Sequence, residues 1–261
     1  MDRSNIEKIA ATSEDKMFLA KLWDKIQAGM RRNIMAATPF LSPREQEMAR
    51  YLFGQAEGLV FFGGYADAER KMLIYLPDYL DAEDLMDSDS PLVCLRASFF
   101  EGDSPTHRDF LGALMGMGIA RETIGDICVG NNSCDFFVTD EIATYLLQNM
   151  TTAGRAHLHL EQIPLSQASI PDAQVKIIRD TLASLRLDSV VSSGFRIGRS
   201  AAAQHIAAGK AAIDGLPCQK ADKQVAEGAK ISLRGMGKIK LETVGTQTKK
   251  GRISVVIHKY V

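Results

Sequence analysis

The stretch Leu185–Ser200, LRLDSVVSSGFRIGRS, decides the fold of the C-terminal part of this chain. Its apolar side chains recur at the spacing of one helix face, which predicts two short helices joined at residues 194–198. Gly209 is placed to end the second helix in a left-handed conformation, and Asp214-Gly215 is a strong hairpin-turn signal. Strands beyond this turn would complete a small α+β module over residues 180–261.

The same region carries an excess of positive charge. Residues 182–261 hold 14 Lys plus Arg and 5 Asp plus Glu, a net charge of +9. The remaining residues hold 31 − 14 = 17 basic and 32 − 5 = 27 acidic groups, a net charge of −10. Such asymmetry predicts an acidic partner for the C-terminal part, of which nucleic acid is the commonest and a membrane surface the alternative.

The candidate binding residues are polar or basic and are expected on one side of the C-terminal module. Such groups bind backbone phosphate, and the free N–H groups at the start of the second helix attract the same anion. Aromatic side chains are scarce here, so a folded nucleic acid recognised by shape is expected rather than a single strand. The predicted binding residues are Arg196, Arg199, Ser200, Gln204, His205, Lys210, Lys220, Lys223, Lys238 and Lys240. Arg186 and Asp188 are instead predicted to form a structural pair.

Several spaced motifs in this region resemble the S4 RNA-binding domain. They are Arg186-Leu187-Asp188, Gly194-Phe195, Arg199-Ser200, Ile213-Asp214-Gly215, Val225–Ile231 and Arg234-Gly235. Two positions depart from the family pattern: Gly198 stands where a serine usually caps the second helix, and Ala229 stands where an aspartate is usual. The resemblance implies an S4 (αL) RNA-binding domain over residues 180–261.

The sequence pattern of residues 86–165, which precede this module, predicts the element order β-α-β-β-α-β. That order fits a ferredoxin-like (RRM-like) plait, a shape also used for RNA binding, with its second strand at 127–129. Residues 1–85 predict an N-terminal helical/α-β domain. It begins with a helix over 5–35 and continues with a second helix after Ser42, whose capping box is completed by Glu45. The overall fold class is therefore α+β.

The composition of the chain indicates its cellular compartment and the kinds of site it can hold. No apolar run is long enough to span a bilayer, and the polar N-terminus lacks the apolar stretch of a signal peptide, so we expect a cytoplasmic protein without membrane association. The four cysteines form no CxxC pair and fit no zinc framework, so free thiols and no metal site are expected. Gly112, Gly116 and Gly118 do not form a GxGxxG motif after a strand, so no cofactor is expected either.

Motifs outside the C-terminal module extend the resemblance to nearly the whole chain, and the sequence is similar to the bacterial YlmH family. These motifs are Phe40–Glu45, Phe61–Lys71, His107–Ile119 and Ile124–Ile127. The resemblance implies a non-enzymatic RNA-binding factor of ribosome-associated quality control. Its partners would be 23S rRNA and peptidyl-tRNA on the large ribosomal subunit, together with quality-control protein factors, and the protein would be a monomer.

Three alternatives remain open. His107-Arg108-Asp109 imitates a kinase catalytic loop, but the downstream asparagine and a glycine-rich phosphate loop are missing. An RNA-modifying enzyme, a pseudouridine synthase or methyltransferase, would use the S4-like module as a targeting arm, and a membrane-surface adaptor would use its positive charge. A second RNA contact in the N-terminal part is also predicted, through Arg70, Lys71, His107, Arg108 and Arg121.

Overall fold

The structure is a computed structural model that describes residues 3–54, 56–86, 90–171, 175–248 and 251–260. The chain forms two compact units, Met1–Pro171 and Asp172–Val261. Both mix helices with antiparallel sheets, in agreement with the predicted α+β class. No helix among these residues has both the length and the apolar character needed to cross a bilayer.

The first unit contains five helices and nine strands among its described residues. In chain order they are α1 Ile6–Ile9, α2 Ser13–Arg32, β1 Ala36–Ala37, α3 Pro43–Phe53, β2 Leu59–Phe62, β3 Met72–Tyr75, β4 Leu92–Ser98, α4 His107–Gly116, β5 Ile124–Val129, β6 Ser133–Thr139, α5 Asp140–Asn149, β7 Thr152–Ala153, β8 Ala156–His157 and β9 His159–Ile163.

The helix predicted over residues 5–35 is broken in two. The break follows from capping, because the Thr12 side chain accepts a hydrogen bond from the backbone of Asp15 and starts α2 afresh. Asn33 ends α2 in the left-handed region at φ 51°. The capping box predicted at Ser42 and Glu45 is confirmed, with both of its hydrogen bonds present at the start of α3.

Two sheets organise the first unit. A small sheet has the order β1-β3-β2, and a four-stranded sheet has the order β5-β6-β4-β9. The predicted second strand at 127–129 is too short: β5 begins at Ile124, directly after one turn of 3₁₀ helix at Arg121–Thr123. A two-stranded ribbon of β7 and β8, which the sequence analysis did not predict, lies between α5 and β9.

Each face of the four-stranded sheet is packed by a different part of the first unit. Phe110 of α4 and Leu146 of α5 join the core on one face. The other face shares a core with the N-terminal segment, whose members include Phe40, Met72, Ile74, Leu92, Cys94 and Phe137. The predicted boundary between residues 85 and 86 is therefore crossed by buried apolar side chains.

The second unit is a six-stranded sheet with two helices packed on one face. Its elements are β10 Val175–Leu182, α6 Leu187–Phe195, α7 Arg199–Ala207, β11 Ala211–Ile213, β12 Leu216–Pro217, β13 Lys230–Leu233, β14 Gly237–Gln247 and β15 Ile253–Tyr260. The strand order is β10-β15-β14-β13-β11-β12. The packing is close, because a Cβ atom on Gly194 of α6 would lie 2.6 Å from the Ile239 Cδ1 atom of β14.

Two local features of the second unit agree with the sequence prediction: a hairpin turn and a left-handed glycine after α7. Asp214 and Gly215 both have positive φ angles, 49° and 82°, as a tight hairpin turn between β11 and β12 requires. Gly209 has φ 69°, which confirms the left-handed position predicted after the second helix.

Candidate nucleic-acid interface

The junction between α6 and α7 brings the first predicted residues to the surface. Arg196 ends α6 in the left-handed region at φ 55° and ψ 46°, and its side chain is exposed. The Ser192 hydroxyl donates a 2.7 Å hydrogen bond to the Ile197 carbonyl and holds the turn. Gly198 is the N-cap of α7 and supplies no side-chain acceptor, so the first N–H groups of α7 receive no side-chain cap from it.

Asp188 lies between two arginines and is itself buried. Arg186 donates to its carboxylate at 3.2 and 3.0 Å, and Arg199 donates at 3.2 and 3.3 Å. Burial alone would raise the pKa of Asp188, but the hydrogen bonds from both arginines outweigh it and hold the pKa below its ordinary value. The predicted structural pair of Arg186 and Asp188 is present, and Arg199, predicted as an RNA ligand, joins it as a third member.

A loop carrying two predicted lysines closes over the start of α6. The backbone N–H of Leu187 donates to the Lys223 carbonyl at 2.8 Å, and that of Asp188 donates to the Ala221 carbonyl at 3.0 Å. The backbone of the loop that carries Lys220 and Lys223 is therefore fixed against the start of α6, and both lysine side chains are exposed.

The remaining predicted residues of α7 differ in exposure. Ser200 and Gln204 are exposed, whereas His205 is half-buried. Ala202 and Ile206 face the core, which directs Ser200 and Gln204 to solvent. We call this surface, made of Arg196, Arg199, Ser200, Gln204, Lys220 and Lys223, the helix-end surface.

Lys210 and Lys238 lie elsewhere, around a shallow depression of about 360 Å³ at one end of the sheet. Arg234 and Ser232 line the same depression, and glycines 209, 235 and 237 form part of its rim. Lys210, Arg234 and Lys238 are exposed. Three basic side chains therefore converge on one concave surface.

Strand alternation separates β14 from the helix-end surface. Ile239 and Leu241 are buried against the helices, so the side chains of Lys238 and Lys240 project from the opposite face of the sheet. Lys240 forms a 2.8 Å ion pair with Glu242, which also lies 3.5 Å from the Nδ1 atom of His258. The hydrogen bond from Lys240 lowers the pKa of Glu242. The predicted set therefore occupies two faces rather than one.

Sequence reasoning did not single out Arg234 or Lys230 as binding residues. Arg234 stands next to Gly235 at a hairpin tip, and this Arg-Gly pair, one of the S4-like motifs, could have indicated Arg234 as a binding residue. Lys230 is exposed on β13 and lies directly opposite Lys240 in the register of the sheet. Finding that juxtaposition requires the strand pairing.

The second predicted contact, in the first unit, is organised around Asp126. Its carboxylate accepts hydrogen bonds from the Tyr65 hydroxyl at 2.8 Å and from the backbone of Glu69 and Arg70 at 2.6 and 3.0 Å. Burial and the charge of Asp126 raise the pKa of Tyr65. Asp126 thus ties the segment after β2 to β5.

Arginines beside Asp126 bind the protein's own backbone. Arg70 donates to the carbonyls of Ile124, Phe40 and Arg121 at 2.8, 2.9 and 3.3 Å. Arg121 donates to the Ile124 carbonyl at 2.7 Å. These guanidinium groups hold three chain segments together.

The other three members of that predicted set are closer to solvent. Lys71 is half-buried and donates to the Ala66 carbonyl at 3.0 Å, whereas His107 and Arg108 are exposed at the start of α4. Partial desolvation and the charge of Arg121 lower the pKa of His107. Asp109 serves as the capping-box partner of Thr106, with hydrogen bonds of 2.7 and 2.8 Å.

The cysteines carry no metal-like arrangement in the described part of the chain. All four are free, and no group of three metal-binding side chains occurs among the described residues. Burial raises the pKa of Cys94 to about 12 and that of Cys128 to about 11, so both remain thiols near neutral pH.

The chain is similar to known proteins over most of its length. Residues 103–167 match a family model described as "Putative RNA-binding domain in YlmH". Over 239 residues the chain is 36% identical to "Ribosome-associated protein quality control protein P2" of Bacillus subtilis (strain 168), with 91% of each chain covered. The chain belongs to the YlmH family. Among solved structures, "Cell division protein ylmH from Streptococcus pneumoniae" matches 62% of this chain and 98% of its own, with 23% identity and a TM-score of 0.49.

The YlmH family match falls on the first unit, from the loop before α4 to the end of the four-stranded sheet. Residues 103–167 contain 3 Lys plus Arg and 8 Asp plus Glu, a net charge of −5. His107, Arg108 and Arg121 lie within this range. The helix-end surface lies outside it, in the second unit.

Proposed function

We propose that this YlmH-family protein is a non-catalytic, cytoplasmic RNA-binding factor that binds rRNA and peptidyl-tRNA on the large ribosomal subunit during ribosome-associated quality control. The observation that carries the proposal is the 36% identity to a ribosome-associated quality control protein across 91% of both chains. The match of residues 103–167 to an RNA-binding family model supports RNA as the partner.

The architecture of the two units supports finer fold assignments, which are part of the proposal. In the first unit, strands β4, β5, β6 and β9 alternate with α4 and α5 in the order β-α-β-β-α-β, which suits a ferredoxin-like plait. In the second unit, two short helices joined by a tight turn and followed by a hairpin suit an S4 domain. Each assignment gives its unit a fold with RNA-binding members.

The helix-end surface supplies the chemistry for phosphate binding. The start of α7 has no side-chain cap from Gly198, and such helix starts attract anions through their N–H groups. Arg196 and Arg199 flank that start, while Lys220 and Lys223 are fixed nearby by the loop over α6. These groups suit the backbone of a folded RNA, because they offer charge and donors but no aromatic platform.

Occupied polar groups support a non-catalytic role. Asp109, the acidic member of the kinase-like motif, is engaged in capping α4. Arg70 and Arg121 are engaged with backbone carbonyls. Residues so committed to the fold are poor candidates for proton transfer or nucleophile activation.

Co-sedimentation with purified large ribosomal subunits carrying peptidyl-tRNA tests the proposal. The variant Lys220→Glu with Lys223→Glu reverses two exposed charges of the helix-end surface without breaking a side-chain hydrogen bond or ion pair among the described residues. We expect binding to fall by about two orders of magnitude at low salt, because phosphate contacts are lost and replaced by repulsion.

A matched control is available on α2. Lys21→Glu with Lys25→Glu changes the net charge equally, and both lysines are exposed in the acidic first unit. We expect this control to sediment like the wild type, with thermal denaturation confirming that both variants are folded. Equal sedimentation of the test variant and the wild type would remove the helix-end surface from the proposal.

A further inference from the structure

The face of the six-stranded sheet that points away from α6 and α7 is predominantly basic and open. Alternation along the strands assigns side chains to this face, because their neighbours Ile178, Ile231, Ile239, Leu241 and Ile257 are buried against the helices. We call it the outer sheet face and define it by Ile177, Arg179, Lys230, Lys238, Lys240, Val256 and His258. Ile177 is an apolar member of this face and is 49% exposed.

Basic side chains stand directly opposite one another on the outer sheet face. Lys230 of β13 is in register with Lys240 of β14, and Lys240 is in register with His258 of β15. Side chains opposite each other on antiparallel strands lie roughly 5 Å apart at Cβ, and like charges at such positions destabilise a sheet. Glu242 offsets part of this repulsion through its contacts with Lys240 and His258.

The basic character continues to the edge of the sheet. The depression that Lys210, Arg234 and Lys238 line adjoins the outer sheet face, since Ser232 and Lys238 are register partners within it. Its glycine rim leaves the backbone open to a bulky ligand. At the far edge, Arg179 of β10 is exposed on the same face.

We propose that the outer sheet face binds a second segment of RNA through its phosphate backbone, so that the second unit bridges two RNA segments. The inference rests on the proposed RNA-binding function. The outer sheet face and the helix-end surface lie on opposite sides of the six-stranded sheet, so one straight duplex cannot cover both. Charge complementarity selects the ligand, because a row of cations across several strands neutralises consecutive phosphates and presents no stacked aromatic rings for bases.

The number of RNA duplexes bound by each protein molecule tests this bridging directly. The probe is a 16-base-pair RNA duplex mixed with the full-length protein at low salt, and the complexes are sized by analytical ultracentrifugation. We expect about two duplexes per protein for the wild type, since each basic surface provides its own counterion-release term. The variant Lys230→Glu with Arg234→Glu is expected to bind about one duplex.

The variant has a built-in check on folding. The Lys230→Glu change places a carboxylate opposite Lys240 across the strand pair, so the fold is expected to keep or slightly gain thermal stability while duplex binding falls. The helix-end variant Lys220→Glu with Lys223→Glu is also expected to bind about one duplex, and the four-fold variant to bind none above background.

The outcomes separate the two proposals. A wild type that binds one duplex, or a Lys230→Glu/Arg234→Glu variant that still binds two, overturns the second RNA face but leaves the proposed function standing. A wild type that binds neither the duplex nor large subunits overturns the proposed function itself. If polyglutamate binds the outer sheet face in a Lys230- and Arg234-dependent manner while the duplex does not, the partner is an acidic protein and the inference is wrong.

Discussion

The two units use arginine and lysine in different ways. In the first unit, Arg70 and Arg121 end on backbone carbonyls, and Arg96 forms a 2.6 Å ion pair with the buried Asp135. In the second unit, Lys210 and Arg234 extend into solvent around an open depression. The same residue types therefore stabilise the fold in one unit and form candidate ligand surfaces in the other.

The two units also differ in net charge. Residues 172–261 hold 16 basic and 7 acidic groups, a net charge of +9, whereas residues 1–171 hold 31 − 16 = 15 basic and 32 − 7 = 25 acidic groups. Affinity for RNA that comes from phosphate neutralisation should therefore reside in the second unit. The acidic segment that matches the RNA-binding family model would contribute shape and orientation more than bulk attraction.

We expect the largest loss of stability from replacing Arg70. Arg70→Met leaves the carbonyls of Ile124 and Phe40 without their donor in a half-buried site, and we expect a loss of about 2–4 kcal/mol in the free energy of unfolding. Urea denaturation measures it. The matched change Arg234→Met should alter stability by less than about 0.5 kcal/mol while weakening duplex binding. Equal stability losses in the two variants would contradict the division.

Acid titration probes the internal ion pair of the first unit. A hydrogen bond from Arg44 lowers the pKa of Asp15 from 3.8 to about 2. A depressed carboxyl pKa stabilises the fold above the unfolded-state pKa, and this contribution is lost as pH falls through the folded-state pKa.

We therefore expect Asp15→Asn to cost about 1–2 kcal/mol near neutral pH, a value reduced for the partial exposure of Arg44. The difference from wild type should shrink between pH 4 and pH 2 in denaturation curves. Asp24→Asn, on an exposed part of the same helix, serves as the control and should change stability little at any pH. A pH-independent cost for Asp15→Asn would argue against this ion pair.

A single lysine of the second unit should affect binding by roughly 1 kcal/mol. Lys220→Ala removes one proposed phosphate contact, so the slope of log affinity against log salt concentration should become shallower by about 0.7–0.9. Lys21→Ala in the first unit should leave the slope unchanged. Titrating large-subunit binding at several salt concentrations measures both slopes, and parallel lines for Lys220→Ala and wild type would exclude the contact.

The smallest effect concerns the uncapped start of α7. Gly198 has φ −61° and ψ 144°, and an added Cβ would meet no atom within 4 Å. Gly198→Ser should therefore stabilise the protein by a few tenths of a kcal/mol through a new N-cap hydrogen bond. Gly209→Ser, at φ 69°, should instead destabilise it by about 1 kcal/mol. Thermal denaturation of the pair distinguishes capping from a general effect of serine.

Features fixed by neighbouring residues could be predicted from the sequence. The capping box at Ser42, the turn at Asp214 and the left-handed Gly209 each depend on chemistry within a few positions. The pairing of Arg186 with Asp188 is equally local. Such signals need no knowledge of the tertiary fold, because both partners lie on the same turn of chain.

Features fixed by distant contacts could not be predicted. Arg70 looks like an exposed basic residue in the sequence, and only the meeting of β5 with the segments around Phe40 and Arg121 gives it three carbonyl partners. Lys238 and Lys240 were expected beside Arg199, but the packing of Ile239 against α6 turns them to the other face. A period-two pattern assigns alternation without telling which face meets the helices.

The order of strands in the first unit limits how its RNA-binding segment can be isolated. Strand β4 lies between β6 and β9, yet it precedes residue 103 and so falls outside the matched range 103–167. A fragment cut at those limits would leave two unpaired strand edges and uncover Phe137, which the N-terminal segment normally buries. Exposed edges and apolar faces of this kind favour aggregation. Residues 103–167 are therefore not a self-sufficient folding unit. A fragment that folds on this sheet would have to include β4.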